Sequence, residues 1–348
     1  MATKPDKSAA VAPGKRQVAA RNNAPKPVTR AAPKAAPRER NCSVGRTVDV
    51  IGDGWTFMIL RECYFGVKRF EKFQEMLGLP RTTLTARLRK LTALGVLRQV
   101  QYSERPPRYG YHLTRTGVDL YPVMLALMSF GDKWLAGRKA KPLQLVHLKC
   151  DHPCKAVVAC SACKGEILPS RVSYRDGPGA GSSPVQVGRT SRRSADPTAL
   201  ERRRPSSVAR ALRVIGDRWS FMIIREAFFR VRRFDDLQTR LGIAPNILTD
   251  RLGRLVADGV FRRVPYQVSP DRYEYRFTDK GKDLFGSMLA MLSWGDKWLS
   301  GGEPPLIMTH ADCGKDFDQV VVCDHCSQAL VAPEMRYVMN YRDPGAVD

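Results

Sequence analysis

The sequence predicts a mainly α fold with small β-hairpins, built twice in one chain, and three observations lead to it. The stretch VIGDGWTFMILRE from Val50 recurs from Val214 as VIGDRWSFMIIRE, with ten of thirteen positions identical. GDKWL at Gly131 recurs at Gly295 with the same offset of 164 residues, so the intervening segments match without net insertion and the chain is a tandem duplication. Within each copy, apolar residues fall first at helical spacing and then in strand-like alternation around a Pro-containing basic tip.

The elements follow in order. A first helix is expected through VDVIGDGW and a second, apolar one through FMILRECYF. KRFEKFQEMLG, or RRFDDLQTRLG in copy two, gives a short amphipathic helix stopped at Gly78 or Gly242. In PRTTLTARLRKLTALGVL, Leu84, Leu88 and Leu91 stand at i, i+4 and i+7 and form one apolar stripe. Gly95 and Gly259 close that helix. LRQVQYSERPPRYGYHLT and FRRVPYQVSPDRYEYRFT alternate as hairpins. A last helix, DLYPVMLALMSFGDKWL in copy one, is apolar over much of its surface.

Composition sets the outer limits. An apolar content of 43% excludes a wholly disordered polymer. No apolar run reaches the ~20 residues of a membrane span, and none follows the basic start as in a secretory signal, so an intracellular, cytoplasmic protein without a membrane partner is expected. The Arg- and Ala-rich start also allows a mitochondrial transit peptide, although its prolines would break the required helix. The formal charge is +24, and residues 1–40 hold ten Lys or Arg against Asp6 and Glu39. An excess spread through arm and remainder alike points to a polyanion, most simply nucleic acid; a solvated basic surface is the plain alternative. The expected organisation is a disordered basic arm at 1–40, a first domain at 41–137 with an appendix at 138–176, a linker at 177–205, a second domain at 206–301 and its appendix at 302–348.

Two short helices joined by a tight turn, followed by a two-stranded hairpin with a basic tip, make a winged helix-turn-helix. The order IG-x-x-W, RF-x-x-L/F, TLT-x-RL-x-x-L, P-P-R-Y-x-Y-x-LT and GDKW resembles the HxlR family of bacterial winged-helix transcriptional regulators, over about residues 42–136 and again over 206–300. The resemblance implies a repressor or activator whose partner is double-stranded DNA, and relatives that pair through their first and last helices on nearly palindromic operators. With the Leu stripe inward, Thr82, Thr83, Ala86, Arg89 and Lys90 point outward, flanked by Thr85 and Arg87. The corresponding set in copy two is Asn246, Ile247, Asp250, Gly253 and Arg254, flanked by Thr249 and Arg251. Arg87 and Arg251 suit either a phosphate contact or a partly buried ion pair. Arg105, Arg108 and Arg272 are the wing candidates for phosphate or minor groove. Tyr109, Tyr111, Tyr273 and Tyr275 read as hairpin packing, and Trp55, Trp134, Trp219 and Trp298 as core or dimer-face anchors.

Each appendix carries a second repeated unit, H-x2-C-x9-C-x2-C: His147, Cys150, Cys160 and Cys163, then His310, Cys313, Cys323 and Cys326. Two knuckles with soft or borderline ligands suit tetrahedral zinc, a structural ion in each unit and two per chain. Unliganded thiols or a redox disulfide are the alternatives, and His152 and Cys154 could compete as ligands. Cys42 precedes the first helix where some HxlR relatives carry an oxidant-sensing thiol; copy two has Ser206 there, so such a switch would be one-sided, and an ordinary surface cysteine is the alternative. Cys63 reads as core. The chain contains no phosphate loop or nucleophile motif, so a non-enzymatic regulator is expected, pairing its two copies within one chain, with further homodimerisation open. A nucleoid-coating protein driven by the arm is the rival reading.

Overall fold

A computed structural model describes residues 38–137, 141–184, 201 and 204–341. The expected arm before residue 38 and most of the expected linker, 185–200 and 202–203, lie outside them. The first copy runs β1 (Arg38–Arg40), α1 (Ser43–Ile51), α2 (Gly54–Tyr64), α3 (Phe70–Leu77), α4 (Arg81–Ala93), β2 (Leu97–Glu104), β3 (Pro107–Leu113), α5 (Arg115–Val118) and α6 (Tyr121–Trp134). Its appendix holds β4 (Leu143–His147), β5 (His152–Cys154), β6 (Ala156–Cys160) and β7 (Val172–Asp176), and β8 (Ser182–Pro184) follows. The second copy repeats the plan with α7 (Ser207–Ile215), α8 (Arg218–Phe228), α9 (Phe234–Leu241), α10 (Pro245–Ala257), β9 (Phe261–Val268), β10 (Asp271–Phe277), α11 (Asp279–Lys282), α12 (Leu284–Leu299), β11 (Leu306–His310), β12 (Lys315–Asp316), β13 (Gln319–Cys323) and β14 (Met335–Met339).

The repeated IGD-x-W segment is a helix boundary, not the helix interior that its sequence suggested. α1 ends at Ile51, and a Cβ on Gly52 would sit 2.3 Å from the Val48 carbonyl oxygen, so only glycine lets the chain turn there. Asp53 then caps α2: its carboxylate accepts the Thr56 backbone N–H at 3.1 Å and the Thr56 hydroxyl at 2.6 Å. Asp217 does the same in copy two through the N–H groups of Trp219 and Ser220. Gly78 and Gly242 end α3 and α9 with φ of 63° and 59°, the left-handed conformation that stops a helix. Leu84, Leu88 and Leu91 on α4, and Leu248, Leu252 and Leu255 on α10, are fully buried as the stripe required.

The two copies pack through α1 against α12 and α6 against α7. The repeated GDKW segment supplies a symmetric set of these contacts, beside others such as Thr47 donating to the Met291 carbonyl oxygen and Trp294 to that of Thr116. A Cβ on Gly131 would lie 2.1 Å from the Ser207 carbonyl oxygen, and one on Gly295 2.4 Å from that of Ser43, so glycine permits the closest approach of the helices. Asp132 accepts from the Ser207 hydroxyl, and Asp296 from that of Ser43 at 2.5 Å. Lys133 pairs with Asp283 at 2.5 Å and Lys297 with Asp119 at 2.6 Å. The indole N–H groups of Trp134 and Trp298 donate to the same two carboxylates.

Residues assigned by sequence to arm and linker are partly tied into this body. β1 pairs antiparallel with β8, and Arg204 is buried against Glu62, donating to it at 2.8 Å beside Arg61. The appendices share strands as well. β6 pairs with β13, β4 lies between β5 and β14, and β11 between β7 and β12. Each of these three sheets contains strands from both copies.

Candidate DNA-binding surface and metal-ligand clusters

The helix-turn-helix of copy one is α3, the turn through Gly78 to Pro80, and α4. On α4, Thr82, Thr85, Ala86 and Arg89 are exposed and Thr83 is half-buried. Arg87 and Lys90 turn back to the scaffold. Arg87 donates to Asp53 at 3.1 Å, so one carboxylate both caps α2 and anchors α4. Lys90 donates to the Asp49 carbonyl oxygen at 2.7 Å, and its burial lowers its pKa. In copy two Asn246, Thr249, Asp250 and Arg254 are exposed on α10, while Ile247 and Gly253 are half-buried. Arg251 repeats the Arg87 pairing, donating to Asp217 at 3.0 Å, and also holds Asp250. Arg254 reaches Asp250 at 3.2 Å from one turn away. For Arg87 and Arg251 the structure therefore places the ion pair; the phosphate contact is not what these side chains make here.

The hairpins β2–β3 and β9–β10 form the wings, with Arg105, Arg108 and Arg272 exposed at or beside their tips. Arg272 lies 3.5 Å from Asp235 of α9. Of the tyrosines read as packing, Tyr111 and Tyr275 pack against the core and Tyr273 is half-buried, whereas Tyr109 is 44% exposed. Sequence reasoning passed over Arg81, which is exposed at the first position of α4 with its guanidinium 5.0 Å from the Phe70 ring centroid. A cation at a helix N-terminus opposes the helix dipole, and that mismatch was the available signal for an external anion. Copy two has Pro245 there.

The eight expected metal ligands converge, but in a different grouping from the one their spacing suggested. His147 and Cys150 meet Cys323 and Cys326, while Cys160 and Cys163 meet His310 and Cys313. Each cluster joins a His-x2-Cys knuckle of one copy to a Cys-x2-Cys knuckle of the other. The reason is strand geometry. β6 begins beside the first cluster and carries the chain about 13 Å onward to Cys160. Its antiparallel partner β13 runs the opposite way, opposing Ala156 with Cys323 and Cys160 with Gln319. The partner's Cys-x2-Cys knuckle therefore returns to where β6 began.

The edges of both clusters suit a tetrahedral ion. Around zinc, S–S edges of about 3.8 Å and S–N edges of about 3.6 Å follow from ordinary bond lengths. In the first cluster His147 Nδ1 lies 3.5 Å from Cys150 Sγ and 3.3 Å from Cys326 Sγ, and Cys150 Sγ lies 3.9 Å from Cys323 Sγ. In the second, His310 Nδ1 lies 3.4 Å from Cys163 Sγ and 3.7 Å from Cys313 Sγ, and Cys160 Sγ lies 4.0 Å from Cys313 Sγ. Both imidazoles are buried with Nε2 unbonded and aimed at a carboxylate: Glu334 at 4.0 Å and Asp312 at 3.4 Å. Such a carboxylate fixes the ring so that Nδ1 faces the ion. Cys154 is buried outside both clusters, its thiol pushed up to about 12 by burial and then by Cys323. His152 stacks on His325 with ring centroids 3.8 Å apart, next to Cys150.

Cys42 is 5% exposed at the N-cap of α1 and caps nothing with its side chain, whereas Ser206 at the matching place accepts the Ala209 N–H. It is not a surface cysteine. Cys63 is half-buried against the core, and burial followed by Glu62 raises its pKa, which keeps it an unreactive thiol.

A family model described as HxlR-like helix-turn-helix matches residues 50–139 and again 214–303. The chain belongs to the HxlR-like helix-turn-helix family. Transcription regulation through DNA binding is accordingly its function. Uncharacterized HTH-type transcriptional regulators of Mycobacterium bovis and Mycobacterium tuberculosis are each 46% identical over 127 residues, covering 36% of this chain and 80% of theirs. The Bacillus subtilis regulator YdeP, also uncharacterized, is 36% identical over 96 residues, covering 27% of this chain and 73% of its own. The crystal structure of PA1607 is 39% identical, covers 37% of this chain and 91% of that one, and aligns with a TM-score of 0.34. Among the described residues no helix is long and apolar enough to cross a membrane.

Proposed function

We propose that this HxlR-like chain acts in the cytoplasm as its own dimer, setting α4 and α10 on one double-stranded operator with two different half-sites. The observation that carries the reading is the repeated GDKW contact between copies, in which every polar side chain of the motif finds its partner across the interface. A homodimer presents identical helices and needs a symmetric operator; a fused pair does not. Here Thr82, Thr83, Thr85 and Arg89 face outward in one copy, and Asn246, Thr249, Asp250 and Arg254 in the other. Arg89 suits guanine and Asn246 adenine, while Asp250 can only accept, for instance from cytosine. Zinc in the two shared clusters is proposed as structural, since four protein ligands leave no open position for a reacting water.

Solution mass together with base-by-base substitution of the bound site tests this. One chain on a site with two unlike halves is expected; a perfect palindrome held by two chains would overturn it. A second reading, that copy two serves mainly as a pairing partner, is favoured by Asp250, which engages Arg251 and Arg254 on α10 and so withholds both cations from phosphate. Protection of one half-site only would establish it. The nucleoid-coating reading is separated by removing residues 1–40. A selective regulator then shows a flatter salt dependence but keeps its preference for the operator, whereas a coating protein loses most of its binding.

A further inference from the structure

We infer that copy two contains a ligand site for an amphipathic carboxylate, in a groove that nothing in the DNA-binding reading uses. The groove encloses about 900 Å³ between α8, the base of wing β9–β10, the start of α12, α6 and the knuckle strand β6. Small-molecule sites run from roughly 300 to 1,000 Å³ and combine an apolar floor with a few fixed polar groups. This groove has both.

Its floor is aromatic. Phe228 stacks on Phe277 with centroids 4.3 Å apart and leans on Phe285 at 5.0 Å, and Val158 of β6 closes the side. At the corresponding positions copy one carries Tyr64, Leu113 and Tyr121. The two tyrosines are engaged: Tyr64 donates to the Gly117 carbonyl oxygen at 2.6 Å, and Tyr121 accepts from Tyr337 at 2.9 Å. Copy two is thus the hydrocarbon-lined version.

Its rim is cationic. Arg230, Arg232, Arg262 and Lys155 line it, and none forms an ion pair with a described residue. The acidic lining residues Asp279 and Asp283 are already neutralised by Lys282 at 2.8 Å and Lys133 at 2.5 Å, which leaves Glu166 as the remaining acid. Arg230 is held at φ 64°, a left-handed conformation that costs a non-glycine residue energy, where copy one has Gly66. The Arg230 side chain is kept at the rim despite that cost.

One deep polar atom has no partner. Ser287 is 1% exposed on α12, yet its Oγ makes no hydrogen bond, not even back to its own helix, and it lines this groove. An unpaired buried hydroxyl is uncommon. Copy one has Val123 there, so the hydroxyl is a feature of copy two alone. Apolar floor, unpaired arginines and a free donor together fit an aryl or branched aliphatic carboxylate: the hydrocarbon against the phenylalanines, the anion between Ser287 and the rim. The groove includes the base of wing two, so occupancy would act on that wing's placement; this consequence rests on the DNA-binding reading, while the binding itself does not.

The test is calorimetric titration of the full DNA-free chain with 1-naphthaleneacetate and with its neutral counterpart 1-naphthaleneethanol. The acid is expected to bind at least about tenfold more tightly, the gain of charge-assisted over neutral hydrogen bonding. Arg230→Gly and Ser287→Val, each the residue copy one uses, should reduce that preference at least threefold while unfolding at or above the parent's temperature. Equal affinity for acid and alcohol, binding of neither, or unchanged acid affinity in both variants would each overturn the site. Operator binding is measured separately with and without the acid. Unaltered operator affinity beside normal acid binding removes only the regulatory consequence, and loss of operator binding in the parent strikes the DNA reading alone.

Discussion

Exchange of knuckles between copies has a consequence that per-copy pairing reverses. Cys150 and Cys323 belong to one cluster, so Cys150→Ser with Cys323→Ser disables a single ion and should leave one per chain. Cys150 and Cys160 belong to different clusters, so Cys150→Ser with Cys160→Ser should leave none. Ions in the two clusters would also act as long-range links. Cys150 and Cys323 are 173 residues apart, and closing a loop that long removes about 5 kcal/mol of unfolded-chain entropy, against about 3 kcal/mol for a loop of roughly ten residues within one copy. Because the second ion still joins the same two regions, losing one ion opens a loop of only about 20 residues and should lower stability by about 3 kcal/mol, whereas losing both also releases the long closure. Elemental analysis of protein prepared without added metal, followed by denaturant unfolding, reads both quantities. If Cys150→Ser/Cys323→Ser held no metal while Cys150→Ser/Cys160→Ser held one, the ligands would pair within copies and this reasoning would fail. A metal-free parent would remove the site.

Three further outcomes follow from the interface and the recognition helices. Gly295→Ala should cost about 1–3 kcal/mol and weaken copy pairing, because its Cβ would meet the Ser43 carbonyl oxygen at 2.4 Å; Gly253→Ala, in the open middle of α10, should instead stabilise by about 1 kcal/mol, and thermal unfolding of both compares them. Burial raises the Asp296 carboxyl to about 6 against the hydrogen bond from Ser43, so the folded state binds its proton more tightly than the unfolded chain. That contribution is complete below about pH 4 and is lost as pH rises through about 6; Asp296→Asn should flatten the pH dependence of the unfolding free energy across this window by on the order of 1–2 kcal/mol after solvent screening, and an unchanged slope would refute the assignment. Arg89→Ala and Asn246→Ala should each relax base selectivity by ~1–3 kcal/mol, at different half-sites, as read by binding to singly substituted operators.

Most of the local structure was legible because it is written at short range. The Leu84, Leu88, Leu91 stripe, the glycine stops at Gly78 and Gly242 and the hairpin alternation each depend on residues a few positions apart, and the structure has them where the pattern put them. The duplication and its family were legible for the same reason. The exception at short range was Gly52-Asp53, read as helix interior; its role depends on Arg87, which reaches it from α4, 34 residues on.

The sequence by itself determined which residues are chemically equipped: eight Cys and His at knuckle spacing, two recognition stripes, two GDKW segments. It could not determine their grouping. H-x2-C-x9-C-x2-C is the same string whether an ion closes within a copy or between copies, and only the antiparallel pairing of β6 with β13 decides between them. The groove of copy two was hidden for a related reason. Phe228, Phe277, Phe285, Arg230 and Ser287 lie far apart along the chain, and each alone reads as an ordinary core or surface residue. Tertiary packing, which brings α8, the wing base, α12 and a strand of the other copy's appendix around one space, gives them a common face.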